Sequence, residues 1–286
     1  MSTPITDSAP PPGAPRRWLL VAAAAAVVLA ASGVTVLLLR SDDQATGGAA
    51  PAVGASASPT VGTSAATGPT GTLPPSETPR RPPVLAFGYQ PLWPFTGVSD
   101  AAAWQRSYRE GGHQPWHLDA GQTALSFTRG FLGYTDIDRV LGTSVSGTQC
   151  WVRVGYADPN GRLATAAVLH LVRIGTGADA PWEVVGSRDS TLSLTVPRYG
   201  ATVSSPVAVG GRVSGVDENL VVQVRAVGLP LLGRSAGIPA GGQDAPWSGR
   251  VSFTAPAGTV LTVAVSTGGH LLGVERFAIT AAVTRP

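Results

Sequence analysis

The chain has 286 residues, 43% of them hydrophobic, with 20 basic and 17 acidic side chains, a net charge of +3 and a single cysteine. It contains no lysine, so every basic residue is an arginine and chemistries that need an amine drop out: Walker phosphate loops, Schiff bases and Ser-x-x-Lys nucleophile pairs. The small charge, without a basic run, excludes the electrostatic footprint of a nucleic-acid binder, and the lone Cys150 excludes internal disulfides, paired-thiolate zinc sites and Cys-x-x-Cys redox motifs.

Residues 1–17 read as a short cytoplasmic tail. Residues 18–39, Trp18 to Leu39, form an uncharged apolar run of 22 residues, long enough to span a bilayer as a transmembrane helix. Arg16 and Arg17 precede it and Asp42 and Asp43 follow it, so the positive-inside bias sets the N-terminus in the cytoplasm and the rest outside. The run exceeds a signal-peptide core and lacks a small-x-small site at its polar edge, which favours an uncleaved signal-anchor. No cysteine follows it, so the lipoprotein route is closed. Residues 40–82 carry no aromatic side chain and are dominated by Ala, Gly, Ser, Thr and Pro; they read as a disordered linker with a coil reach of about 35 Å.

Aromatics return at Phe87, and residues 83–188 read as an α+β ectodomain. Ser99 or Asp100 is placed to cap a helix with Ala101, Trp104 and Tyr108 on one face, closed by Gly111 and Gly112. Asp119 is placed to cap a second helix, with Ala124, Phe127 and Phe131 at spacings of three and four. Strand-like runs follow, and Asp158-Pro-Asn-Gly161 predicts a hairpin between the first two. In order of elements this part resembles the nuclear-transport-factor-2-like and cystatin-like folds, which implies a curved sheet around a long helix and leaves function open.

Residues 189–286 read as six or seven short strands broken by Gly and Pro, an all-β sandwich. The stretch Val196 to Arg225, with WSGRVSFTAPAG downstream, resembles the bacterial immunoglobulin-like domain associated with spore-germination proteins through Pro197, Gly200, Val203, Ser205, Pro206, Gly210, Trp247 and Pro256. The resemblance implies an extracytoplasmic cell-envelope module without known chemistry.

Candidate sites are few. His113 and His117 stand four apart in HQPWHLD, but Pro115 between them breaks the helical geometry a zinc pair needs, so neither metal nor cofactor is expected. Asp136 and Asp138 read as a solvated turn, and DAPW, present at Asp179 and again at Asp244, as a turn leading into a strand headed by a buried Trp. The aromatics Trp104, Tyr108, Phe127, Trp151 and Trp182 line either a pocket or a core. The expected protein is a bacterial, membrane-anchored envelope module, non-enzymatic, with one helix in the membrane and a cell-wall polymer or envelope protein as partner. Small-ligand binding or hydrolysis in the aromatic part of residues 83–188 is the alternative.

Overall fold

The computed structural model describes residues 85, 88–215, 218–268 and 272–285. Helix α1 (Val98–Gly111) begins one residue before the expected cap. Asp100 lies inside its first turn and accepts the Thr96 amide at 3.0 Å, which holds the incoming chain. Gly112 ends the helix at φ 70°, a conformation easy only without a Cβ. Helix cannot resume at once, because Gln114 is also left-handed and Pro115 opens a single 3-10 turn, Pro115–Leu118. Asp119 caps α2 (Ala120–Ser126) by accepting the Gln122 amide at 2.9 Å, and α2 runs into a π turn at Phe127–Phe131.

Four antiparallel strands follow as a meander: β1 (Arg139–Ser146), β2 (Gln149–Ala157), β3 (Leu163–Arg173) and β4 (Trp182–Ser187). The β2–β3 turn is closed by Asp158, whose Oδ1 accepts the amides of Asn160 and Arg162, both at 2.8 Å. One face of this sheet packs against α1 around Phe95, Trp104 and Val185. The other packs against α2 and the π turn around Phe127, Val152 and Leu171.

The remaining strands are β5 (Ala201–Val203), β6 (Val207–Val213), β7 (Glu218–Arg225), β8 (Gly233–Arg234), β9 (Ile238–Ala240), β10 (Ala245–Val251), β11 (Val260–Thr267) and β12 (Phe277–Thr284). β6 and β10 pair as one sheet, and β5-β12-β11-β7 form a second, with β8 and β9 on β7. Their facing surfaces enclose a core of Val207, Val209, Trp247, Val251, Val222 and Val263, so this all-β part is consistent with a sandwich. Trp247 lies inside, its Nε1 donating to the Ser193 carbonyl at 3.2 Å.

β11 and β12 are buried on both faces. Val263 and Ala282 belong to the sandwich core, while Ala264, Phe277, Ile279 and Ala281 join the core built on α2 and the first sheet. This explains why FAITAAV and VLTVAV are nearly continuous apolar runs with several small residues. The described residues accordingly belong to one compact unit.

The expected fold class, a single transmembrane helix with an α+β domain and an immunoglobulin-like sandwich, is corrected. The described residues are mostly β-sheet with two short helices, and no helix among them is long and apolar enough to cross a membrane. The physical reason is the punctuation after α1: a glycine and a glutamine in left-handed geometry, then a proline, divide the helical sequence into pieces too short to form a layer. The expected tail, apolar run and linker at 1–17, 18–39 and 40–82 lie outside the described residues.

Candidate functional site

A cross-strand row on the face of the first sheet that also carries α1 builds a candidate surface. Ser144 on β1 pairs with Trp151 on β2, Trp151 with His170 on β3, and His170 with Gly186 on β4. Side chains in such a row stand on one face, about 4.8 Å apart along the hydrogen-bonding direction. The Trp151 and His170 rings stack at 3.9 Å with 11° between their planes. Gly186 has no side chain to continue the row, and a Cβ there would meet the Tyr199 ring at 3.8 Å, so the aromatic surface passes to Tyr199. Tyr89 closes it edge-on, 5.0 Å from His170 and 6.5 Å from Tyr199.

Beside this row opens a cleft of about 380 Å³. His170, Ser187, Asp189, Thr195, Arg198 and Tyr199 are among the residues that line it. Ser187 ties β4 to β12, its Oγ accepting the Ile279 amide at 2.9 Å. Tyr199 shows 42% of its surface, yet its hydroxyl is the sunken end and accepts the Gln90 amide at 2.8 Å; burial pushes that phenol up to about 12. His170 Nε2 pairs with Gln149 Oε1 at 2.9 Å. Burial and then the Arg188 charge push its imidazole down to about 4, so it is neutral at neutral pH.

Trp151, stacked on His170 of the cleft, lines a second groove of about 290 Å³ together with Ser144, Arg153, Val168 and Arg188. The Arg188 guanidinium lies over the Trp151 ring at 4.1 Å, and Arg153 Nη2 donates to the Leu141 carbonyl at 3.0 Å.

The five aromatics singled out in the sequence divide between interior and surface. Phe127, Trp182 and Trp104 are buried, Trp182 beneath the Arg173 guanidinium at 4.3 Å. Tyr108 is half-buried and stacks on Trp104 at 5.2 Å. Trp151 alone of the five lines the groove.

The two histidines of HQPWHLD part company. His113 is exposed; His117 is buried against Phe95 and Trp104 at 5.0 and 5.1 Å, and burial pushes it down to about 4. Among the described residues no group of three or more His, Cys, Asp or Glu is placed to hold a metal ion. Asp136 and Asp138 stand exposed in their loop. Both DAPW aspartates bind an arginine, Asp179 with Arg109 and Asp244 with Arg212, each at 2.6 Å. Trp182 does head its strand, whereas Trp247 is the third residue of β10.

Sequence reasoning missed Tyr89, Arg188 and Tyr199, which lie at turns and strand ends, and missed Glu183. This carboxyl is fully buried, with Oε2 accepting the Phe95 amide at 3.1 Å, and burial raises it well above the ordinary glutamate range. Its one sequence signal is a charge inside the apolar run Trp182-Glu-Val-Val. Comparison with protein-family models, curated proteins and solved structures finds no match for this chain.

Proposed function

We propose that the chain is an extracytoplasmic cell-envelope protein acting as a non-enzymatic binding or structural module, and that its partner engages the cleft. One observation carries the reading: a preformed cleft of about 380 Å³ is lined by groups from both parts of the sequence, Tyr89, His170 and Ser187 from the first and Thr195, Arg198 and Tyr199 from the second. Binding there would use the packing of the four-stranded sheet against β12. The resemblance of residues 189–286 to the spore-germination-associated immunoglobulin-like domain supports an envelope setting. The hydrolytic alternative would draw on His170, but its Nε2 is already engaged by Gln149, which favours a ring that shapes a binding surface.

The test fills the cleft. Thr195 is exposed at its rim, so Thr195→Trp should occupy the space without touching either core. Full-length Thr195→Trp should lose at least about tenfold in retention on envelope material, a cost of about 1.4 kcal/mol, while Arg250→Ala on β10 retains it. Equal retention of the parent and Thr195→Trp would overturn the reading.

A further inference from the structure

The groove at Trp151 is lined by two arginines whose guanidiniums are oriented by the protein and, among the described residues, paired with no carboxylate. Arg153 pairs with Val168 across the sheet, and the Arg188 amide donates to the Val168 carbonyl at 2.9 Å, so the two positions flank Val168, roughly 10 Å apart. Among the described residues, neither guanidinium is held by a carboxylate. Arg188 rests over Trp151 and Arg153 reaches the Leu141 carbonyl. Arg153 also lies where a side chain at Gly142 would stand, since a Cβ there would come within 2.6 Å of its Nη2. Arg109, Arg139 and Arg212 each have an aspartate within ion-pair distance; among the described residues Arg153 and Arg188 have none. Two oriented, unpaired guanidiniums facing one groove repel each other and present planar donor forks that match a carboxylate or phosphate.

We infer that this groove binds an anionic glycan, with the carboxylate or phosphate of one sugar unit between Arg153 and Arg188 and the hydroxyls of neighbouring units in the cleft. The inference rests on the reading of the cleft as a binding site. The neighbouring cleft favours a hydroxyl-rich chain: Thr195 offers an exposed hydroxyl, and Asp189 offers a carboxylate acceptor that would repel a continuous polyanion. Two arginines beside an acid match an anion borne on an otherwise neutral chain, where a nucleic acid would call for a basic stripe.

The experiment is calorimetric titration of the full-length chain with four probes: a maltooligosaccharide bearing one glucuronic acid unit, a mannose oligosaccharide bearing one phosphate, a neutral maltooligosaccharide and pentaglutamate. At least one anionic oligosaccharide should bind, more weakly as salt rises, and the better of the two identifies the anionic group as carboxylate or phosphate. Arg153→Gln and Arg188→Gln should each weaken binding by about tenfold, the loss of one charge-assisted contact, while Arg250→Gln leaves it unchanged. The inference falls if neither anionic oligosaccharide binds, if the glutamine variants bind as the parent does, or if the maltooligosaccharide or pentaglutamate binds equally well. Retention on envelope material that still depends on Thr195 in any of those cases would sink this inference and leave the cleft reading standing.

Discussion

Replacing Trp247 by alanine removes the largest side chain of the sandwich core together with a hydrogen bond that fastens a separate segment. The ring is only 5% exposed, within the cluster of Val209, Val222, Val251 and Val263. Its Nε1 donates to Ser193 O at 3.2 Å, in the segment that bridges to β6 through Leu192 and Val196. Truncating a buried Trp costs about 3–5 kcal/mol, and leaving the Ser193 carbonyl unpaired adds about 1 kcal/mol. At about 2–4 °C per kcal/mol for a unit of this size, the midpoint of thermal unfolding should fall by roughly 10–20 °C. Trp247→Phe keeps most of the volume and gives up the hydrogen bond, so it should lower the midpoint by only a few degrees. Circular dichroism melts of the full-length variants make the measurement, with exposed Arg250→Ala as a control that changes little. A fall below about 3 °C for the alanine variant, or equal falls for alanine and phenylalanine, would refute the assignment of Trp247 as a packed and hydrogen-bonded anchor.

Two further expectations concern pH. Glu183 has a raised folded-state pKa, chiefly from burial, so the folded chain holds a proton that the unfolded chain releases from about pH 4.5 upward; its contribution is complete below that value and is lost as pH rises. Glu183→Gln keeps an acceptor for the Phe95 amide and cannot ionise, so urea denaturation should show it gaining on the parent between pH 5 and 8, whereas parallel stability curves would contradict a buried, protonated carboxyl. His117 runs the other way: burial lowers its folded-state pKa from 6.5 to about 4, so its contribution is present above about 6.5 and is lost as pH falls toward 4. His117→Gln should flatten that acid limb, and an unchanged limb would mean that the ring is not held neutral.

Local chemistry was legible where one residue does one job. Asp119 caps α2, Asp158 closes the β2–β3 turn, and Trp247 shares an inward face with Val251. The candidate site was not legible, because it depends on a register that no local pattern announces. Near the turn Gly155 pairs with Thr165, yet one residue further out Val154 pairs with Ala167, an insertion of one residue in β3. Gly155 is suited to that place because a Cβ there would lie 2.0 Å from the Ala164 carbonyl oxygen. Without the bulge Trp151 would face Leu169, and His170 would turn toward the core, since a slip of one residue exchanges the two faces of a strand. The apolar runs of β11 and β12 were similarly ambiguous: strands buried on both sides lose the alternation that would say which residues serve which core. The bulge brings His170 and Trp151 together, and the double burial of β12 brings the rest of the cleft's lining to them. The cleft therefore exists only at the level of tertiary packing, which is why Trp151 could be singled out from the sequence while Tyr89, Arg188 and Tyr199 could not.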